Sequence, residues 1–126
     1  MNEYVILITT AAGGTSTDTT ESPIIGRLYA VDFELGTLAS GAVDVTLTYK
    51  SSEAGVTKTL LTLTNLAANA TYYPREQVHG NTGTGLTLDG TRIAFDLPII
   101  AGTVTATTAQ GGDTKSGSVK LYVIED

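Results

Sequence analysis

The sequence has no cysteine, no tryptophan, a single histidine (His79) and three prolines. The missing thiols exclude disulfides, thiolate zinc sites, iron–sulfur clusters and cysteine nucleophiles. A zinc site on His79 would need a second His or Cys ligand, and the chain has neither. Positive charge is scarce: 7 Lys and Arg stand against 13 Asp and Glu, a formal −6. No Lys or Arg cluster exists to neutralise phosphates or an anionic lipid surface, so neither nucleic acid nor membrane is an expected partner. Long hydrophobic runs are missing as well. The first apolar stretch, residues 4–8, is far short of the ~20 residues of a membrane helix. No basic segment precedes it, so synthesis in the cytoplasm without a signal peptide is expected.

What remains is a chain of 126 residues with 23 Thr, 14 Gly and 41% hydrophobic residues. That length suits one domain with a core of its own. Thr favours strands and Gly marks turns, so the composition points to an all-β protein. Val43, Val45, Leu47 and Tyr49 alternate with Asp44, Thr46, Thr48 and Lys50, the pattern of a half-buried strand. Residues 4–9, 27–35 and 56–64 read as further strands, the last paired with residues 43–50 through a hairpin connection at 51–55. Residues 103–108 and 118–124 read as a final pair joined by a loop at 110–117. Asp89-Gly90, between alternating flanks at 86–88 and 91–95, predicts a type I′ hairpin turn. Residues 10–25, polar and without period, read as a flexible loop or arm. The sum is an antiparallel β-sandwich, jelly-roll-like, with about eight strands and a long N-terminal arm.

No arrangement of residues announces catalysis. The nucleophile-elbow spacing Gly-x-Ser-x-Gly is absent. Gly111-Gly112-Asp113-Thr114-Lys115-Ser116 lacks the Gly-Lys pair and the following helix of a phosphate loop, and reads as a strand connection. Asp18, Glu21, Asp89 and Asp113 fall in loop-like segments without calcium-site spacing, and solvated turns account for them. A carboxylate pair of the glycosidase kind has no aromatic groove beside it. No cofactor and no metal is therefore expected. The most unusual local feature is the segment from Tyr72 to Val78, Tyr-Tyr-Pro-Arg-Glu-Gln-Val, which concentrates aromatic rings, a proline and both charges. Tyr and Arg are enriched at protein interfaces, and alternation predicts one Tyr buried and one exposed.

The cysteine-free Thr/Gly/Ala-rich β composition, the polar stretch at residues 10–22, the loop Gly80-Asn-Thr-Gly-Thr-Gly85 and the closing segments at 102–107 and 116–123 resemble capsid decoration (cement) proteins of tailed bacteriophages. The resemblance is one of style over roughly the full length, with no specific motif. It implies a non-enzymatic virion structural protein on the capsid surface, bridging subunits of the major capsid protein and associating with itself as a homotrimer. It also implies candidate contact residues: Thr15, Thr17, Asp18 and Thr20 in the polar stretch, and Tyr72, Tyr73, Arg75 and Glu76. The alternatives are another phage particle component (tail, head–tail joining or fibre base) and a β-sandwich module for carbohydrate or calcium.

Overall fold

A computed structural model describes residues 1–52, 55–87 and 89–125. Among these residues ten strands follow one another: β1 (Asn2–Thr9), β2 (Ser16–Thr19), β3 (Ile24–Glu34), β4 (Val43–Ser51), β5 (Thr57–Leu66), β6 (Ala70–Tyr72), β7 (Glu76–Gln77), β8 (Phe95–Asp96), β9 (Ile99–Ala109) and β10 (Ser116–Ile124). Among the described residues there is no helix, and so none long and apolar enough to cross a membrane.

All pairing is antiparallel. β1 pairs β10, β2 pairs β9, β3 pairs β6 and β4 pairs β5. This nesting of first with last and middle with middle is a two-stranded ribbon rolled on itself, the jelly-roll connectivity. Two four-stranded layers result: β1-β10-β3-β6 and β2-β9-β4-β5. They are joined at a corner where Ile24, Ile25, Gly26 and Arg27 pair Gly102, Ala101, Ile100 and Ile99. β7 and β8 form a separate small ribbon, an excursion between β6 and β9.

The alternating apolar positions explain the core. Ile6 and Ile8 from β1, Leu28, Val31 and Phe33 from β3, and Val119, Leu121 and Val123 from β10 face Val43, Val45, Leu47, Ile100 and Val104 of the other layer. Each such side chain contributes about 1.5–3 kcal/mol when fully buried. Thr10 closes one end of the sandwich. Its buried hydroxyl donates to the Gly112 carbonyl (2.6 Å) and accepts from the Lys115 amide (2.9 Å).

Three expectations need correction. Residues 10–25 are not an arm. Ser16–Thr19 is a jelly-roll strand, Thr10 is buried, and Ile24 is fully buried within β3. β2 has polar side chains throughout, so backbone pairing with β9, and no apolar face, makes it a strand. Residues 103–108 and 118–124 are not a pair. β9 and β10 lie in different layers, and the loop between them crosses the sandwich end. The turn at Asp89-Gly90 is not type I′. Thr87 pairs Ile93, which encloses five residues and not the two of that turn. Asp89 organises this loop instead: its Oδ1 accepts from the amides of Thr91 (3.2 Å) and Arg92 (2.9 Å), and its Oδ2 from Arg92 Nε (2.9 Å). The Leu88 end of the expected hairpin flank, and Glu53-Ala54 of the 51–55 connection, lie outside the described residues.

Candidate interaction surface

β3 carries a bulge. Tyr122 of β10 pairs Ala30 and Val123 pairs Leu28, so Tyr29 is the extra residue between them. A bulge re-aims a side chain out of the regular alternation. Leu28 and Ala30 are both buried, and Tyr29 is thrown outward. Two residues after Tyr72 leaves the short pairing of β6 with β3, the buried Pro74 turns the chain away from the sheet. Tyr72 packs against the core while Tyr73 is exposed, as alternation predicts.

Tyr29 and Tyr73 meet edge to face, with ring centroids 6.0 Å apart and an interplanar angle of 86°. Arg75 lies over both rings, its guanidinium carbon 5.7 Å from the Tyr29 centroid and 5.9 Å from that of Tyr73. Arg75 Nη1 donates to the carbonyls of Tyr29 (3.0 Å) and Pro74 (2.6 Å). Two backbone acceptors and two π faces thus hold an exposed cation in one place, which limits the side-chain entropy lost on contact. Ile25 and Arg27 share the outward face of β3 with Tyr29, and Ile99 stands directly beside Arg27. Ile25 and Ile99 are 74% and 65% exposed, two apolar side chains flanking Arg27 on the same outward face.

A carboxylate supports the cluster from the side. Asp32 accepts from Thr71 Oγ1 (2.6 Å) and from the Tyr122 hydroxyl (2.7 Å). The Thr71 bond, followed by the Tyr122 bond, holds the Asp32 carboxyl below the usual range. The same carboxylate pushes the Tyr122 hydroxyl up to about 12. Met1, Tyr29, Ala30, Asp32, Thr71, Tyr73 and Tyr122 line a shallow depression of about 260 Å³. Among the described residues no group of three or more His, Cys, Asp or Glu is placed to hold a metal ion.

The two sets of candidate residues are not brought together. Tyr73 and Arg75 join Tyr29 in the cluster, Tyr72 packs against the core, and Glu76 pairs with Lys58 of β5. Thr15, Thr17, Asp18 and Thr20 belong to β2 and its flanks in the other layer. There Thr15 accepts from the Ala11 amide (3.0 Å), and Thr17 and Asp18 stand opposite Thr107 and Ala106 of β9. Asp18 also accepts from Ser16 Oγ (2.7 Å), and the Thr20 amide donates to the Val104 carbonyl (2.9 Å). Tyr29, Ile25 and Ile99 carry no mark in the sequence that sets them at this surface. Tyr29 reads as one apolar residue among several in a strand, and only the bulge turns it out. No protein-family model matches this chain, and neither a curated protein nor a solved structure is found to be similar to it.

Proposed function

We propose that this chain is a non-enzymatic structural protein that attaches to another protein through the Tyr29–Tyr73–Arg75 face. In line with the resemblance described above, we propose that the partner is the major capsid protein on the outside of a tailed-phage shell, which the chain stabilises by bridging subunits as a homotrimer. The observation that carries the reading is an exposed aromatic pair with an Arg fixed across it and two exposed isoleucines alongside. Tyr and Arg dominate binding energy at protein interfaces, and an apolar rim around them excludes water. Jelly rolls also build viral coat domains, which is support by analogy of fold alone. The same fold builds lectins, but rings at 86° to one another offer no flat platform for a sugar.

Co-sedimentation with purified phage particles from the source of the chain tests the reading. The chain is expected in the particle pellet, and Tyr73→Ala or Arg75→Ala should weaken binding at least tenfold, the scale of a hot-spot loss of about 2 kcal/mol. Light scattering of the free or particle-released protein is expected to give three times 13.1 kDa. Binding that is unchanged in both variants would refute the assigned face. Failure of the unaltered chain to bind shells would refute the capsid as partner.

A further inference from the structure

We propose that the free edge of β1 accepts an extended segment of a partner chain, one whose side chains alternate between apolar and basic. Among the described residues, β1 pairs β10 on one side and no strand on the other. Thr10 donates its amide to the Lys115 carbonyl in continuation of that ladder. Antiparallel pairing turns alternate residues toward the partner strand, so the N–H and C=O groups of Glu3, Val5 and Leu7 point the other way. A cleft of about 490 Å³ opens there, lined by Glu3, Tyr4, Val5, Ile6 and Leu7 on one wall and by residues 18–22 on the other. Side chains of a strand alternate between faces, so five consecutive residues can line one cleft only along the strand's edge. The cleft exists because β1 and β2 leave their connecting turn together and then diverge, β1 into one layer and β2 into the other.

β1 also lacks the protection that edge strands usually carry. Lys, Pro, bulges and short length blunt an edge against added strands. β2 has four residues and β6 has three. β5 carries Lys58 and two register irregularities against β4. β1 runs eight residues in unbroken register with no Lys and no Pro. Its outward side chains Val5 and Leu7 are 53% and 72% exposed. An added strand would pair the backbone and cover these two residues, which is the way β-augmentation combines affinity with side-chain selection.

Charge selects the occupant. Glu3, Asp18 and Glu21 line the cleft, which has no basic lining residue. Lys120, 3.8 Å from Glu3, is the cation beside it. β1 itself carries Glu3 and no basic residue, so β1 of a second copy would set carboxylate against carboxylate in this cleft, whereas a segment with Lys or Arg at alternate positions fits it. This inference is independent of which partner the Tyr29–Arg75 face takes.

The probe is an acetylated, amidated heptapeptide alternating Lys and Val, titrated into the ¹⁵N-labelled full chain. Amide shifts should concentrate at residues 3–7 and 18–22. A peptide with Glu in place of each Lys should bind at least tenfold more weakly, and N-methylation of the peptide's alternate amides along its pairing edge should abolish binding. In the protein, Val5→Pro removes one outward N–H, and Leu7→Lys adds an edge charge at an exposed side chain that supports no core. Each is expected to abolish binding, with Leu7→Lys leaving the melting temperature unchanged. Equal binding of the Glu peptide, shifts away from the cleft, or no binding at millimolar peptide would overturn the proposal. So would a solution dimer that Leu7→Lys dissociates, because the edge would then belong to a second copy.

Discussion

Gly102 stands at the corner where the two layers become one, pairing Ile24 of β3 on one side and Ser51 of β4 on the other. A Cβ there would overlap the Lys50 carbonyl oxygen and lie 2.8 Å from the Lys50 carbonyl carbon and 3.1 Å from the Ser52 amide nitrogen. All three atoms are backbone, so no side-chain rotation relieves the contact. Gly102→Ala must therefore move β9 away from β4. The Ser52 amide then loses its bond to the Ala101 carbonyl (3.0 Å), and the fully buried Ile24, Ile100 and Val104 lose their fit. Ser52 and Ala101 are exposed, so losing their hydrogen bond costs about 0.5–1.5 kcal/mol, and forced overpacking of the buried side chains another 1–3. The expected destabilisation is about 1.5–4.5 kcal/mol, a fall in Tm of roughly 6–18 °C for a chain of this size. Gly13→Ala is the control: its Cβ meets nothing within 4 Å, and the expected change is under about 0.5 kcal/mol. Thermal melts followed by circular dichroism compare the two. If Gly102→Ala melted within about 4 °C of the parent, the strands would not approach as described, and the corner argument would fail.

Three further outcomes follow from the same structure. Deleting residues 10–22 removes β2 and the Thr10 bonds to Gly112 and Lys115, so the chain should lose its dispersed amide spectrum; a folded deletion product would show that this stretch is dispensable. The Tyr122 hydroxyl is raised by its bond to Asp32, so the stability it lends is complete below the unfolded value near 10 and is lost as pH rises toward about 12. Tyrosinate absorbance should show this residue ionising late and Asp32→Asn moving it back toward 10; ionisation of Tyr122 together with the exposed tyrosines would contradict the bond. Asp89 is held at about 2, chiefly by the Arg92 amide and the Thr91 hydroxyl, so its contribution is present above the ordinary carboxyl value of 3.8 and lost as pH falls toward 2. Amide exchange at Thr91 and Arg92 should accelerate over that interval, and Asp89→Ala should make it fast at every pH; slow exchange in Asp89→Ala would remove the carboxylate from its role.

What could be read in advance depended on whether the side chains or the backbone decided the outcome. β4 was legible because Val43, Val45 and Leu47 alternate with polar residues and all three are fully buried. Its pairing with β5 was legible because one connection joins two apolar-patterned segments. β2 was not, because Ser16, Thr17, Asp18 and Thr19 carry no apolar period and become a strand only when β9 supplies a ladder from far along the chain. The separation of β9 from β10 was hidden for a related reason: two neighbouring strands joined by a glycine-rich loop look like a hairpin until the other strands claim their edges. At the candidate surface, Tyr73 and Arg75 were visible as unusual residue types in a Thr-rich chain. Tyr29 was not, since a one-residue bulge reverses the face of a side chain without any mark in the composition.

The Tyr29–Tyr73–Arg75 face is proposed to contact a partner protein, the major capsid protein. The most direct measurement is site-specific photo-crosslinking in assembled particles, with a benzophenone amino acid at position 73 and, as control, at position 62, exposed on β5. A crosslink from position 73 into the major capsid protein is expected, with none from position 62. Crosslinks from position 62 with none from position 73 would contradict it.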